Sequence, residues 1–364
     1  MIRVLHVLST LNIGSGIANF VMNYYRKLDK KEIQFDFLLF NEPEKTFSEE
    51  VAKNGSRIFY IEKPSIKTMF DYKREVYNLF KEHKGEWEAI HVHEVLVQSI
   101  VLPAAKKYGI KKRIVHAHGG NIKIGLIKRV RNAILEFNMK KNATDLVACS
   151  NIAGQAEFGS KEFVIVTNAL DLNRYKHTQE QKKAIKKDLG FKDKDFVIGT
   201  VGRISELKNP LFFVRIMAKL VDIIPDTKFL HIGDGEMRDV FQNTISDNNL
   251  NDYFVLLGNR TDANEKMQAM ECFLLPSLTE GLGIVLIEAE ASGIYSIASE
   301  NVPKETKVCE RVEYLPLEED VWVNRIVDLY NSGETKKAIT TDYMDNSCYN
   351  INKSLQVLME IYLR

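Results

Sequence analysis

The chain has 364 residues, 45% hydrophobic and 27% charged, with a formal net charge of +1, the balance of an ordinary globular protein whose total charge singles out no partner. Cys149, Cys272, Cys309 and Cys348 stand singly, without CxxC pairs or histidine-rich neighbours, which suits a reducing compartment and argues against a structural zinc site. MIRVLHVLST enters a strand pattern rather than a signal peptide, and no apolar run approaches the roughly 18 residues of a membrane span.

In chain order, IRVLHVLS (2–9), FDFLLF (35–40), RIFYI (57–61), AIHVH (89–93), KRIVHAH (112–118), DLVACS (145–150) and FVIVTN (163–168) read as strands. Several are apolar throughout, as in a parallel sheet covered on both faces. Between them lie helical patterns such as IANFVMNYYRKL (17–28) and FDYKREVYNLFKEH (70–83). The charged stretch 176–195 reads as the inter-domain connection. The pattern then restarts with FVIGTVGR (196–203), TKFLHIGDG (227–235), YFVLLGN (253–259), CFLLPS (272–277), IYSIAS (294–299) and VEYLP (312–316). A chain of this length is expected to split into two cores. The expectation is therefore α/β, with two doubly wound Rossmann-like domains and a cleft between them, ligands sitting at the carboxyl ends of the strands.

Those ends carry the chemistry. In PSLTEGLGIVLIEAEASG, Gly281 and Gly283 permit a tight turn before a helix, and seven residues separate Glu280 in the turn from Glu288 on the helix. Free amides near Gly283, Ile284 and Val285, backed by the helix dipole, make an anion site. In VGRISELKNP, Arg203 follows a strand and Lys208 sits in the turn before Pro210. Carboxylates accept from sugar and ribose hydroxyls, while fixed cations stabilise a departing diphosphate. In RIVHAHGG, His116 and His118 share one strand face. A strand-end histidine is often just a satisfied core residue, the reading taken for His116, His91 and His93. LNIGSGIANF places Gly14 and Gly16 before a helix, but Asn19 stands where a dinucleotide fingerprint needs its third glycine, so Asp36 is not read as a ribose acid.

Together these segments, with LVACSNIAG, IVTNALDLNRY, HIGDGEMR and LGNRTDANEKMQAM, resemble the retaining glycosyltransferases of family 4, of GT-B fold, and within them the bacterial exopolysaccharide and capsule enzymes. The likeness runs nearly end to end. It implies that Arg203 and Lys208 bind the donor diphosphate and that Glu288 holds the ribose. It also implies that Glu280 and the amides of Gly283 to Val285 contact sugar and phosphates, with Gly233 and Arg260 lining the nucleotide pocket. His118 would hold a donor hydroxyl as a positioning group, since retention needs no base on the far face. Gly14 and Gly16 would approach the diphosphate, though the family pattern Gly-Gly-x-Glu is replaced here by Gly-Ser-Gly-Ile-Ala. The expected donor is a UDP-hexose or UDP-N-acetylhexosamine and the acceptor a glycan or polyprenyl-diphosphate-linked glycan, with no cofactor and no metal. A sugar-nucleotide epimerase on the same fold and a non-catalytic binding subunit are the alternatives.

The resemblance also sets boundaries, with 1–176 plus 348–364 as the acceptor-binding domain and 177–347 as the donor-binding domain. In the last helix, Leu355, Leu358, Ile361 and Tyr362 give NINKSLQVLMEIYLR (350–364) an apolar stripe to bury on the N-terminal domain. Finally, residues 106–141 hold eleven Lys/Arg against the single acid Glu136, and 122–139 spaces apolar residues helically among those charges. That suits an anionic membrane surface and a peripheral place on the inner face of the plasma membrane. Nucleic acid is not expected, as no aromatic platform accompanies the charge.

Overall fold

The computed structural model describes residues 1–40, 46–65, 67–94, 97–119, 141–336 and 342–364. The chain divides into two compact units, Met1–Ala169 with Ile351–Arg364, and Leu170–Asn350.

The first unit runs β1 (Ile2–Val7), α1 (Gly16–Lys27), β2 (Ile33–Leu39), α2 (Ser48–Lys53), β3 (Ile58–Tyr60), α3 (Met69–Glu82), β4 (Ala89–Val92), α4 (Gln98–Lys107), β5 (Lys112–Ala117), β6 (Asp145–Ala148), α5 (Asn151–Phe158) and β7 (Val164–Ile165). The strands pair in the order β3-β2-β1-β4-β5-β6-β7, every pairing parallel. Alternation sorts the side chains of β1, β4 and β5 onto two faces. Val4, Ala89 and Ile114 face a layer with Phe20, Val21 and Tyr24 of α1. Leu5, Val7, Ile90, Val92 and Val115 face Tyr72, Val76 and Phe80 of α3 and Val101 and Leu102 of α4.

The second unit contains α6 (Gln179–Asp188), β8 (Phe196–Val201), α7 (Pro210–Ile223), β9 (Thr227–Ile232), α8 (Arg238–Asp247), β10 (Phe254–Leu256), α9 (Ala263–Lys266), β11 (Cys272–Leu275), α10 (Ile284–Ala291), β12 (Tyr295–Ser299), β13 (Val312–Leu315), α11 (Glu319–Ser332) and α12 (Asp342–Asp345). Its strand order is β10-β9-β8-β11-β12-β13, again parallel throughout. The last helix, α13 (Ile351–Leu363), returns to the first unit, where Leu358, Ile361 and Tyr362 are buried and Leu355 is partly so. Its Ser354 and Tyr24 of α1 share a hydrogen bond.

The division falls at 169/170 and 350/351 rather than at 176/177 and 347/348, because Leu170, Leu172 and Tyr175 are buried in the second core. The charged stretch 176–195 is not a loose connection. It contains α6, started by a capping box in which the Thr178 hydroxyl accepts from the Gln181 amide and the Gln181 side chain accepts from the Thr178 amide. Lys186 of this helix buries its stem and donates to Glu271, 2.7 Å away, whose other oxygen accepts from the Val197 amide.

Candidate active site

In the second unit the sheet reverses direction of winding at β8, whose neighbours are β9 and β11. A crevice opens at such a switch point, on the carboxyl side of the strands. The segments that leave β8 and β11 are stitched together there. The Leu278 amide donates to the Leu207 carbonyl at 2.8 Å, and Asn209 Nδ2 donates to the Pro276 carbonyl at 3.3 Å. Asn209 adopts the left-handed conformation (φ 56°) and Pro210 opens α7, so the preceding turn Glu206–Lys208 is firmly ended.

Lys208 and Glu280 meet across this junction in an ion pair between Nζ and Oε1. The Ser277 hydroxyl also donates to Glu280 Oε1, at 2.6 Å, and the Ser277 carbonyl accepts from Ser299 at 2.6 Å. With 9% of its side chain exposed, Glu280 is a fixed group rather than a solvated one. Gly283 then takes φ +83° and starts α10; the Leu286 amide turns back to the Gly283 carbonyl at 2.9 Å, and the amides of Ile284 and Val285 are left without partners inside the helix. Glu288 lies three and four residues beyond Val285 and Ile284, on the same helix face. Burial pushes its carboxyl up to about 7, against the pull of the Arg174 charge and a hydrogen bond with Tyr175. Arg174 is held by Asn264, which accepts from its guanidinium and donates to its carbonyl, each at 2.9 Å.

The other two cations turn elsewhere. Arg203 pairs with Glu236 at 2.9 Å, both largely exposed, and Arg260 makes a two-pronged pair with Asp262 at 2.6 and 2.8 Å. Gly233 serves packing at the strand ends: its amide donates to the Gly258 carbonyl, and a Cβ there would lie 2.0 Å from the Gly202 carbonyl oxygen. Gly281 sits in the turn before α10 and is partly exposed. Sequence reading gave no site role to Ser277, Arg174, Tyr175, Glu236 or Asp262. Ser277, Glu236 and Asp262 stand within three residues of the predicted Glu280, Gly233 and Arg260, and Arg174 and Tyr175 are brought in by folding.

In the first unit, Gly14 and Gly16 are exposed at the amino end of α1. Asn12 Oδ1 accepts from the Gly14 amide at 2.8 Å, Ser15 caps the Ala18 amide, and no acid stands in the first turn. Asp36 is a structural acid. Although burial opposes it, hydrogen bonds from Arg3, Arg57 and Trp87 hold its pKa at about 2.

His118 follows β5 and is partly exposed, and it does not stand alone. His6, His91, His93 and His116 are buried beside it, the last three as the reading of satisfied core histidines expects, and the five rings lie against one another as a cluster. The signal was present as same-parity histidines on three strands. Among the described residues, His6, His91 and His93, and again His93, His116 and His118, bring one ring nitrogen each within 4.8 Å of the others. Of the basic segment, 120–140 lies outside the described residues. Arg113, counted in that charge, is turned inward, donating to the carbonyls of Asn142, Ile110 and Lys111.

The family described as Glycosyl transferases group 1 matches residues 181–336. The chain is 30% identical over 370 residues to a putative glycosyltransferase, EpsF, of Bacillus subtilis, an alignment spanning 99% of this chain and 96% of that one. It is 30% identical over 236 residues (62% of this chain, 60% of the other) to an Escherichia coli UDP-Gal:alpha-D-GlcNAc-diphosphoundecaprenol alpha-1,3-galactosyltransferase. Among solved structures, Anabaena Alr3699/HepE in complex with UDP and glucose superposes with a TM-score of 0.77 at 15% identity, covering 99% of each chain. Two parallel Rossmann-like units and relatives of this extent place the chain among the group 1 glycosyltransferases of GT-B fold.

Proposed function

We propose that the protein transfers a hexose or N-acetylhexosamine from a UDP-sugar to a glycan or polyprenyl-diphosphate-linked acceptor, with retention and without a metal, in surface polysaccharide synthesis. The observation that carries this reading is the Lys208–Glu280 pair at the switch point, beside the amino end of α10. Lys208 and the first-turn amides would take the diphosphate and stabilise its charge as it leaves. Arg203 would join them by giving up Glu236, since an exposed ion pair is worth only about 0–1 kcal/mol. Glu280 would hold the sugar, Glu288 the ribose, and His118 a sugar hydroxyl. The donor and acceptor in the name of the Escherichia coli relative, and the UDP held by the Anabaena protein, favour this substrate class.

A panel of UDP-sugars tested for binding and slow hydrolysis decides the matter. One UDP-sugar should bind and be turned over with EDTA present, releasing the sugar with its anomeric configuration kept. Failure of every nucleotide sugar to bind would sink the reading, and a new epimer formed without acceptor would point to an isomerase. Rates that collapsed in EDTA and returned with manganese would show a metal requirement.

Glu288 predicts a pH dependence. Its carboxyl, at about 7, ionises as pH rises through neutrality, and the ionised form is the better acceptor for two ribose hydroxyls. UDP affinity should therefore strengthen between pH 6 and 8, and Glu288→Gln should flatten the profile. Equal slopes for both proteins in calorimetric titrations would assign the effect to another group.

No described helix is long and apolar enough to cross a membrane. The charge of 106–141 nevertheless suits a lipid-linked acceptor. Co-sedimentation with anionic liposomes should occur at low salt and fall at high salt, since screening acts over about 8 Å at physiological ionic strength. It should be lost when Lys128, Arg129 and Arg131 become Glu. Indifference to anionic lipid at low salt would remove the membrane from the proposal.

A further inference from the structure

Strand alternation puts His6 of β1, His91 and His93 at the end of β4, and His116 and His118 at the end of β5 on the face that carries Val4, Ala89 and Ile114. Tyr362 of α13 reaches in among them. The six groups form one unbranched line of hydrogen bonds. His118 Nε2 lies 2.7 Å from His93 Nδ1, and His93 Nε2 lies 3.0 Å from His6 Nδ1. His6 Nε2 lies 3.3 Å from Tyr362 Oη, which lies 2.6 Å from His91 Nδ1. His91 Nε2 lies 3.1 Å from His116 Nδ1, and the far nitrogen, His116 Nε2, is buried without a partner.

Counting hydrogens settles the direction of this line. A neutral imidazole carries one N–H and one lone pair, and a phenol carries one O–H that can also accept. Each link needs one hydrogen, so an unbroken line of neutral groups has two arrangements, every group donating the same way. One arrangement leaves His116 with an N–H aimed at nothing in the interior. The other leaves it a bare lone pair and sends the spare hydrogen to Nδ1 of His118, the partly exposed end. An orphaned buried N–H is the rarer and costlier defect. A cationic ring would add a hydrogen that leaves every link intact but places an N–H at both ends, again stranding one at His116 Nε2. Burial depresses the pKa of all five rings, His118 to about 3, so the neutral count applies.

We propose that this line fixes His118 as the Nδ1–H tautomer, making its free ring nitrogen a hydrogen-bond donor to a sugar hydroxyl oxygen rather than a base. His6, His91, His93, His116 and Tyr362 are positioning residues that set the tautomer from the interior. The use of the donor rests on the reading of His118 as facing the sugar; the tautomer does not.

The same nitrogens are poorly arranged for a metal. Zinc at about 2.0–2.1 Å from each ligand needs three lone pairs converging on one point. Here linked nitrogens stand at hydrogen-bond distance. The rings of His116 and His118, 4.1 Å apart at 17°, and of His91 and His93, 4.4 Å apart at 22°, are stacked, so their lone pairs run side by side.

Long-range proton–nitrogen spectra of the full-length chain labelled at histidine read the tautomers directly, with His118→Gln identifying the His118 signals. Wild type should show His118 as Nδ1–H alone. Tyr362→Phe keeps the ring and removes both links at the phenol oxygen. His118, His93 and His6 should keep their direction, because a bare lone pair at His6 Nε2 is again cheaper than an orphaned N–H. His91 and His116, which strand one N–H in either arrangement, should become a mixture of tautomers. Ser354→Ala removes a hydrogen bond from the same helix without touching the line, and should leave the tautomer unchanged. An Nε2–H His118 in wild type, or His91 and His116 tautomers indifferent to Tyr362→Phe, overturns the proposal. So does stoichiometric uptake of Zn²⁺ by the purified protein, because ligation would replace the hydrogens of the links. Turnover of the UDP-sugar selected by the binding panel should fall roughly tenfold in His93→Phe, which takes the partner from His118 Nε2, as for other outer partners of a working imidazole, with little change in KM. The stated tautomers with unchanged turnover in His93→Phe would uphold the line and remove His118 from the sugar.

Discussion

Lys208→Ala is expected to lower turnover by roughly a hundredfold or more, the usual loss when one preorganised charge is taken from a transition state. Two effects act in the same direction. The diphosphate loses its fixed cation, and Glu280, 9% exposed and held by Ser277, is left as an uncompensated carboxylate beside the phosphate position. The second effect separates a catalytic lysine from a structural one. If Lys208 only neutralises Glu280, the double variant Lys208→Ala/Glu280→Ala is no slower than Glu280→Ala alone. If it serves the leaving group, the double variant is slower than Glu280→Ala. Arg203→Ala should also cost roughly a hundredfold, while Glu236→Ala, which frees Arg203 from its surface pair, should not. Steady-state rates with thermal melts as a folding control check both. Wild-type rates in Lys208→Ala would make the pair a structural clasp.

Removing residues 351–364 is expected to unfold the first unit while sparing the second. Ile351, Leu358, Ile361 and Tyr362 are each at most 4% exposed, and four such side chains contribute together roughly 6–12 kcal/mol. That upper estimate is comparable with the whole stability of a domain, about 5–15 kcal/mol. The loss also strips Tyr362 from His91 Nδ1 and His6 Nε2, and an abandoned buried polar atom costs about 1–3 kcal/mol. Amide exchange should show protection lost in β1, β2, β4 and β5 and retained in β8, β9 and β11. Unchanged protection in β1 and β4 would show that α13 is dispensable.

The strands were readable because a parallel sheet buried on both faces demands continuous apolar runs, and β2, buried at every position, is the clearest case. The turn into α10 was readable because Gly283 needs a positive φ and the helix that follows is almost wholly apolar. α6 was misread since its burial rests on Ile185 and the stem of a lysine, which leaves the sequence looking solvated. The ion pairs Arg203–Glu236 and Lys208–Glu280 join residues 33 and 72 positions apart, and nothing local encodes such partners. The histidine line needed strand register as well as strand identity. His6 stands opposite His91 only because β1 and β4 pair in that register, and Tyr362 enters from the far end of the chain.

The crossing at Ala169 and the return at Ile351 set an order of events during synthesis. The second unit is a continuous segment, Leu170–Asn350, and can fold as soon as it has been made. The first cannot close until α13, which follows the whole of the second unit, has been made. At about 5–20 residues per second the ribosome takes roughly 10–35 s to build the intervening segment. During that interval the face of β1, β4 and β5 that α13 will cover stands open, with its imidazoles and the rings of Phe35 and Tyr24 exposed to solvent and to chaperones. The first unit begins before the second and closes only after it, so its yield in the cell should depend on how that wait is guarded.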